Sequence, residues 1–446
     1  MDTAQPTSLS LSHSLALCLA LIAAASMLYY HQALFIPRAL EAQRTRGLAN
    51  GYSFGNDFYQ IWLSSRELLQ SRQDPYSAQT TREIQTGLYG RPLDPNRPSD
   101  PIDQRAFPYP AFVDLLFLPA AAIPFPVVRI VVCCALAVLT IASVLLWLRV
   151  LSWNLNWKWA AVVLLLTLSS YPALEGLYAA QIGLLVSFLL AASVLAQQRS
   201  RFLLSGTLLA LTAMKPQVTL LAVLYLLLCN FGAVRDRRFY IGFFTTLAAL
   251  IAAATLILPH WISSWIHTVL AYRHYTPPPL VAQTLTSWLG SRLAGPATLV
   301  LTAGSIAIAL ILAWKNRTAP AQSFSFLLTL TILLSITAFV LIPGLAIYDH
   351  LILLPGILLL FRHRNLLEEA GAIPRITGFI GALILFWPWI AAFSLICLRP
   401  MLTASTFHST ALLSLPIRTA ASLPFAVLAL LILMWRAIAR KTEAPA

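Results

Sequence analysis

The chain has 446 residues, 59% of them hydrophobic and only 10% charged, with a formal net charge of +14. So large an apolar share exceeds what one soluble core can bury, so the composition is that of a polytopic membrane protein. The basic residues stand in small clusters between apolar runs, which is a topology signal and excludes the single basic face of a nucleic-acid binder.

The first apolar run, Leu11 to Ile36, has no basic region ahead of it and no evident small-residue cleavage site before Met27, so it reads as a retained first span. Residues 37–109 then form the only long hydrophilic segment, with nine arginines and eight of the sixteen acids. Within it Asp57 heads a helical pattern that places Phe58, Ile61, Trp62, Leu68 and Leu69 near one face. Further apolar runs follow to the C-terminus, and together with the first they predict about twelve spans, several shorter than the ~20 residues a span needs. The expected fold is an all-α polytopic bundle, a single integral membrane domain over 1–446. The five cysteines all lie inside apolar runs and read as packing residues.

The charges orient this bundle. With the N-terminus cytoplasmic, the inner connections carry fifteen Lys and Arg and the short outer ones only five, so both termini are expected in the cytoplasm of a bacterial-type plasma membrane. Residues 37–109 become a first exoplasmic loop with short amphipathic helices, and the aromatic-rich 259–295 a second exoplasmic, interfacial segment. Between Arg201 and Arg235 the chain must go out and back in legs of about 13 to 16 residues, roughly 20 to 24 Å each at 1.5 Å per residue. Lys215, at the turn, is therefore expected in a recess, and the short run after His350 lowers Asp349 and His350 in the same way.

These polar groups are the candidates for chemistry. Asp57 is either a helix N-terminal acid or a general base beside a sugar hydroxyl. Lys215 would neutralise a lipid phosphate, or else snorkel to the interface. Gln181 and Gln217 suit a sugar or phosphate, and equally an interhelical hydrogen bond. Asp349 and His350 could pair with a cation, bind sugar or share in proton transfer, or form a plain polar turn. Arg66, Arg82 and Arg105 are candidates for phosphate contact. The sequence has no DxD run, Walker A loop, GxSxG or HExxH, which disfavours nucleotide-sugar and ATP-driven chemistry and leaves no metal site or cofactor to expect. The donor that suits an outward cavity is one already anchored in lipid.

Several blocks then resemble a known family. Asp57-Phe58, Trp62 and Asp74-Pro75-Tyr76 are similar to the opening DFxxYY...PY of glycosyltransferase family 87, the polyprenyl-phosphate-mannose-dependent transferases of the GT-C superfamily. Phe107-Pro108-Tyr109-Pro110 with Phe117, Pro119 and Pro124 resembles its second block. Gln181 with Leu184 and Leu185, Gly206 and Lys215-Pro216 resembles its GQxxLL...G...KP region, and Gln283-Thr284-Leu285 and Tyr348-Asp349 its later turns. The resemblance runs from about Asp57 to Leu360. Ala180 stands where the family has glycine, Gly183 where it has asparagine, and Ser64-Ser65-Arg66 departs from its small-residue pattern. The resemblance implies a GT-C-like fold and an inverting, metal-independent transfer of a mannose-like hexose from a polyprenyl-phosphate sugar to a lipid or glycan acceptor. It makes Asp57 the base and adds Tyr109 to the substrate contacts. The rival classes are a transporter or flippase of lipid-linked sugars, which would show internal repeats and midplane binding groups, and an O-antigen polymerase or ligase, with its large loop later in the chain.

Overall fold

A computed structural model describes residues 12–49, 51–94, 96–231, 237–344, 346–401, 410–420 and 422–443, and these are helical with no β-strand beyond one isolated bridge, Pro279 to Pro343. Arg235 and Leu11 lie outside the described residues. The first helix is long: α1 (His13–Tyr29) continues through a π-helical turn (Tyr30–Phe35) into α2 (Ile36–Arg44). The hydrophilic segment folds as two short amphipathic helices, α3 (Asn56–Ser71) and α4 (Ala78–Tyr89). Then come α5 (Phe112–Ala121), α6 (Phe125–Val150), α7 (Trp157–Leu168), α8 (Tyr171–Tyr178), α9 (Gly183–Gln198), α10 (Phe202–Leu211) and α11 (Pro216–Cys229). The second half holds α12 (Arg238–Ile257), α13 (Trp261–Tyr275), α14 (Leu280–Lys315), α15 (Phe324–Val340), α16 (Leu354–Arg362), α17 (Arg364–Glu369), α18 (Ala372–Leu398) and α19 (Leu423–Glu443).

Local chemistry sets many of these boundaries. Ser12, Ser77, Asn156, Ser170 and Ser323 each accept a backbone N–H in the first turn of the helix they start. Proline fills the opening turn of α6, α8, α11 and α16, where its missing N–H costs nothing.

Among the described residues six helices are long and apolar enough to cross a membrane, seven if α7 and α8, bent by 58° where they meet, count as one span. This makes the chain a multi-pass membrane protein, with six or seven helices that meet this measure where about twelve spans were expected. The other apolar runs form helices of 10–17 residues, α5, α9, α11, α15 and α10 with its 3-10 extension. At 1.5 Å per residue they reach about 15 to 25 Å, short of a ~30 Å hydrocarbon layer. Their exposure differs: Leu203 and Leu204 of α10 and Leu220 of α11 are exposed, whereas α9 is largely buried. α15 is buried on nearly every side and forms the middle of the main core together with α9.

Small residues let helices close up, as membrane bundles require. A Cβ on Gly206 of α10 would meet the Phe239 carbonyl oxygen of α12, and one on Gly242 would meet that of Leu203, so the two backbones touch directly. α5 packs on α3 through Ser64 and Ser65, whose hydroxyls donate to Asp114 Oδ1 at 2.7 and 3.1 Å.

Candidate active site

The site begins with how α3 starts. Its N-cap is Gly55, in the left-handed region at φ 81°, and glycine has no side chain to cap with. The first-turn donors instead reach the end of α8: Gly55 N–H donates to the Tyr178 carbonyl at 2.7 Å, and the amides of Asp57 and Phe58 to that of Ala179 at 3.2 and 3.3 Å. The C-terminal carbonyls of one helix thus satisfy the orphan N–H groups of the other. Asp57 stays in the first turn of α3, where an acid suits the helix dipole, but it has no capping to do, and its carboxylate turns to side chains from elsewhere.

Those side chains form one chain of polar contacts. Arg105 Nη1 donates to Asp57 Oδ1 at 2.8 Å, and Gln181 Nε2 to Asp57 Oδ2 at 2.7 Å. Lys215 Nζ then donates to Gln181 Oε1 at 3.0 Å and to Asp349 Oδ1 at 2.8 Å. The Gln181 amide can sit only this way round, because the flipped group would set NH2 against the ammonium and oxygen against the carboxylate. The Asp57 carboxylate and the Lys215 ammonium are therefore one amide apart, joined across five segments of the chain.

Each member is placed by an unusual backbone. Lys215 interrupts α10 and α11 with φ −140° and ψ 71°, between a 3-10 turn and Pro216, and is 5% exposed. The two short flanking helices are those the run lengths implied. Arg105 is left-handed at φ 54°, in a turn where the Asp103 carboxylate accepts its amide at 2.9 Å, and its Nε also donates to the Tyr89 hydroxyl at 3.1 Å. Ala180, just before Gln181, is left-handed too, at φ 53°. A residue with a Cβ pays about 1 to 2 kcal/mol for that conformation, which is the physical reason a glycine suits the position. Asp349 sits on a 3-10 helix over Ile347–Leu353. A Cβ at residue 183 would fall 2.1 Å from its Oδ1, so Gly183 makes room for the ion pair.

Access narrows inward. The side chains of Asp57 and Arg105 are 13% and 16% exposed, those of Lys215 and Asp349 6% and 0%. Lys215 Nζ also lies 4.7 Å from the centre of the Tyr348 ring, a cation–π contact. The buried Tyr109 phenol lies beside Asp57, Tyr272, Asp349 and Gln181; burial first, and then the Asp57 charge, hold it protonated as a donor. Oδ2 of Asp349 is buried with no partner among the described residues. A guanidinium and a phenol beside the Asp57 carboxylate, with an ammonium one amide away, suit a step in which an anion departs while a proton is taken.

A family model described as glycosyltransferase family 87 matches residues 107–343, just over half of the chain. The chain belongs to glycosyltransferase family 87. As a family 87 member it is a membrane glycosyltransferase, an enzyme that takes a sugar donor and an acceptor, which sets the transporter reading aside. No curated protein and no solved structure was found to match it. The matched residues hold Tyr109, Gln181, Lys215 and Gln217, whereas Asp57, Arg66, Asp349 and His350 lie outside, a narrower extent than the resemblance from Asp57 to Leu360.

Of the expected site residues, Asp57, Gln181, Lys215, Tyr109 and Asp349 come together. Arg66, Gln217 and His350 do not. Arg66 stands nine residues along α3, over the Trp62 ring and donating to Gln70, and Arg82 is exposed on α4. Gln217 is exposed on the outer side of α11. His350 is 3% exposed, has a buried Nδ1 with no partner among the described residues, and faces a separate apolar cavity. Missed altogether was a cluster behind the site. Glu175 of α8 accepts from the Tyr52 hydroxyl at 2.6 Å and pairs with His31 Nε2 at 3.1 Å, and the Tyr178 hydroxyl donates to the Tyr52 carbonyl at 3.0 Å. It ties the π-helical turn to the end of α8 on which α3 rests, and tyrosines at 52, 171 and 178 around one acid were its only sequence signal.

Proposed function

We propose that this chain transfers a mannose-like hexose from a polyprenyl-phosphate donor to a lipid or glycan acceptor, with inversion and without a metal, at the exoplasmic face of a membrane whose other side holds both termini. The observation that carries the reading is the Arg105–Asp57–Gln181–Lys215–Asp349 chain, which sets one reachable carboxylate against two cations. The acceptor hydroxyl oxygen attacks the anomeric carbon while the bond from that carbon to the phosphate oxygen breaks. The hydroxyl proton passes to Asp57, and the bonding pair leaves on the polyprenyl phosphate. Arg105 and Lys215 take the charge that develops there, in a water-poor setting that strengthens each contact. Tyr109 and Gln181 orient the sugar, and Asp349 holds Lys215 until the phosphate arrives. The side assignment rests on the fifteen-to-five distribution of Lys and Arg.

The test is reconstitution of the purified protein with a polyprenyl-phosphate hexose and a membrane glycolipid extract, product mass being followed. Parent protein yields a hexose-extended acceptor, and Asp57→Asn, folded and inserted, yields none. Parent-like turnover in Asp57→Asn ends the base assignment. Movement of the donor across the bilayer with its covalent structure intact would replace the transferase reading of this site with one of transport.

A further inference from the structure

Away from the polar chain lie two apolar cavities, of about 840 and 330 Å³. The larger runs between α7, α16 and α18 and ends against His350. Trp159 and Thr167 line it one above the other on α7, about 12 Å apart at 1.5 Å per residue. The smaller lies between α16, α18 and α19, lined by Phe379, Leu385 and Leu430. The two cavities adjoin. Phe361, Arg364, Glu368 and Leu423 line the two together, and Arg375 lines the smaller.

The charge at that junction decides what fits. Arg364 reaches Glu368 only at 4.0 Å, with side chains 70% and 59% exposed, which is a weak, water-screened pair. Arg375 is exposed and donates to the Glu368 carbonyl oxygen at 3.2 Å, not to its carboxylate. Two guanidiniums thus stand over two adjoining greasy slots with donors to spare. Basic pockets between membrane helices are the recurring way an anionic lipid head is held, and Arg suits the phosphate because its donors are fixed in a fork. A polyprenyl phosphate, having one chain, would leave one slot empty.

We propose that this is a binding site for one anionic, two-chain glycerophospholipid, with its phosphate on Arg364 and Arg375, one acyl chain deep in the larger cavity and the other in the smaller. It is distinct from the reacting groups and stands whether or not the transferase mechanism above is right. The deep chain reaches the turn that carries Asp349, so the lipid also packs the back of the active site.

Native mass spectrometry of the full chain released from vesicles of phosphatidylcholine with phosphatidylglycerol tests it. The expected spectrum has one phosphatidylglycerol adduct per chain, cut at least tenfold by Arg364→Ala with Arg375→Ala, both exposed positions, with parental thermal unfolding as the check that the variant is folded. Leu385→Trp, which fills the slot behind that junction, removes the adduct with the arginines in place. An adduct of phosphatidylcholine in equal measure, of a single-chain polyprenyl phosphate, or one that persists in the double arginine variant overturns the proposal.

Discussion

Gly183→Ala is the smallest change that should disable the centre. The added methyl carbon would lie 2.1 Å from Asp349 Oδ1 and 3.5 Å from Lys215 Nζ. Ordinary contact needs more than 3 Å, so the carboxylate must retreat by about 1 Å in a site where it is fully buried. Overpacking of this kind costs about 1–3 kcal/mol. If the retreat breaks the 2.8 Å contact with Lys215, the uncompensated buried charges raise the cost toward 3–5 kcal/mol. The assay is thermal unfolding in detergent beside turnover, for Gly183→Ala, Asp349→Ala and the double variant. The clash disappears when Asp349 is shortened, so the double variant should be no less stable than Asp349→Ala alone, a coupling of at least about 1 kcal/mol. A Gly183→Ala protein with parental stability and turnover would refute the claim that residue 183 has to lack a side chain.

Ala180→Gly relieves a left-handed alanine and should stabilise the protein by about 0.5–1 kcal/mol after the entropy of glycine is subtracted, whereas Ala180→Val should lower both melting temperature and turnover. Asp114 supplies a pH test: burial pushes its carboxyl up to about 8, only partly offset by the Ser64 and Ser65 hydrogen bonds. The folded state then keeps a proton that the unfolded chain releases near pH 4, so stability should fall as pH rises from about 4 through about 8 and level off above. Asp114→Asn, which carries no titrating proton, should flatten that slope in melting curves taken from pH 5 to 9.

Much of the centre was legible because its members are polar groups in an apolar sequence, where each has to be explained. Lys215 stood out through the shortness of the helices on either side, and the broken 202–229 segment has that geometry. The span count was harder to read, since hydropathy alone does not tell a short helix buried on all sides, such as α15, from one long enough to cross. The choice of arginine was hidden as well. Nine lie in the hydrophilic segment, and only the turn at Asp103, which throws Arg105 back toward Asp57, separates it from Arg66. Asp349 and His350 read as one candidate turn, but neighbours on a 3-10 helix point about 120° apart, and each faces a different space.

The π-helical turn at Tyr30–Phe35 carries one residue more than a regular coil would need to span the same rise. Deleting a single residue there would restore ordinary winding and swing everything upstream by about 100° around the axis. The α1 face now seated on α7 and α18 would point into lipid, while His31 would lose its register with Glu175. One surplus residue thus sets the phase between the chain's first apolar helix and the segment that carries Asp57, so length here is constrained more tightly than side-chain identity.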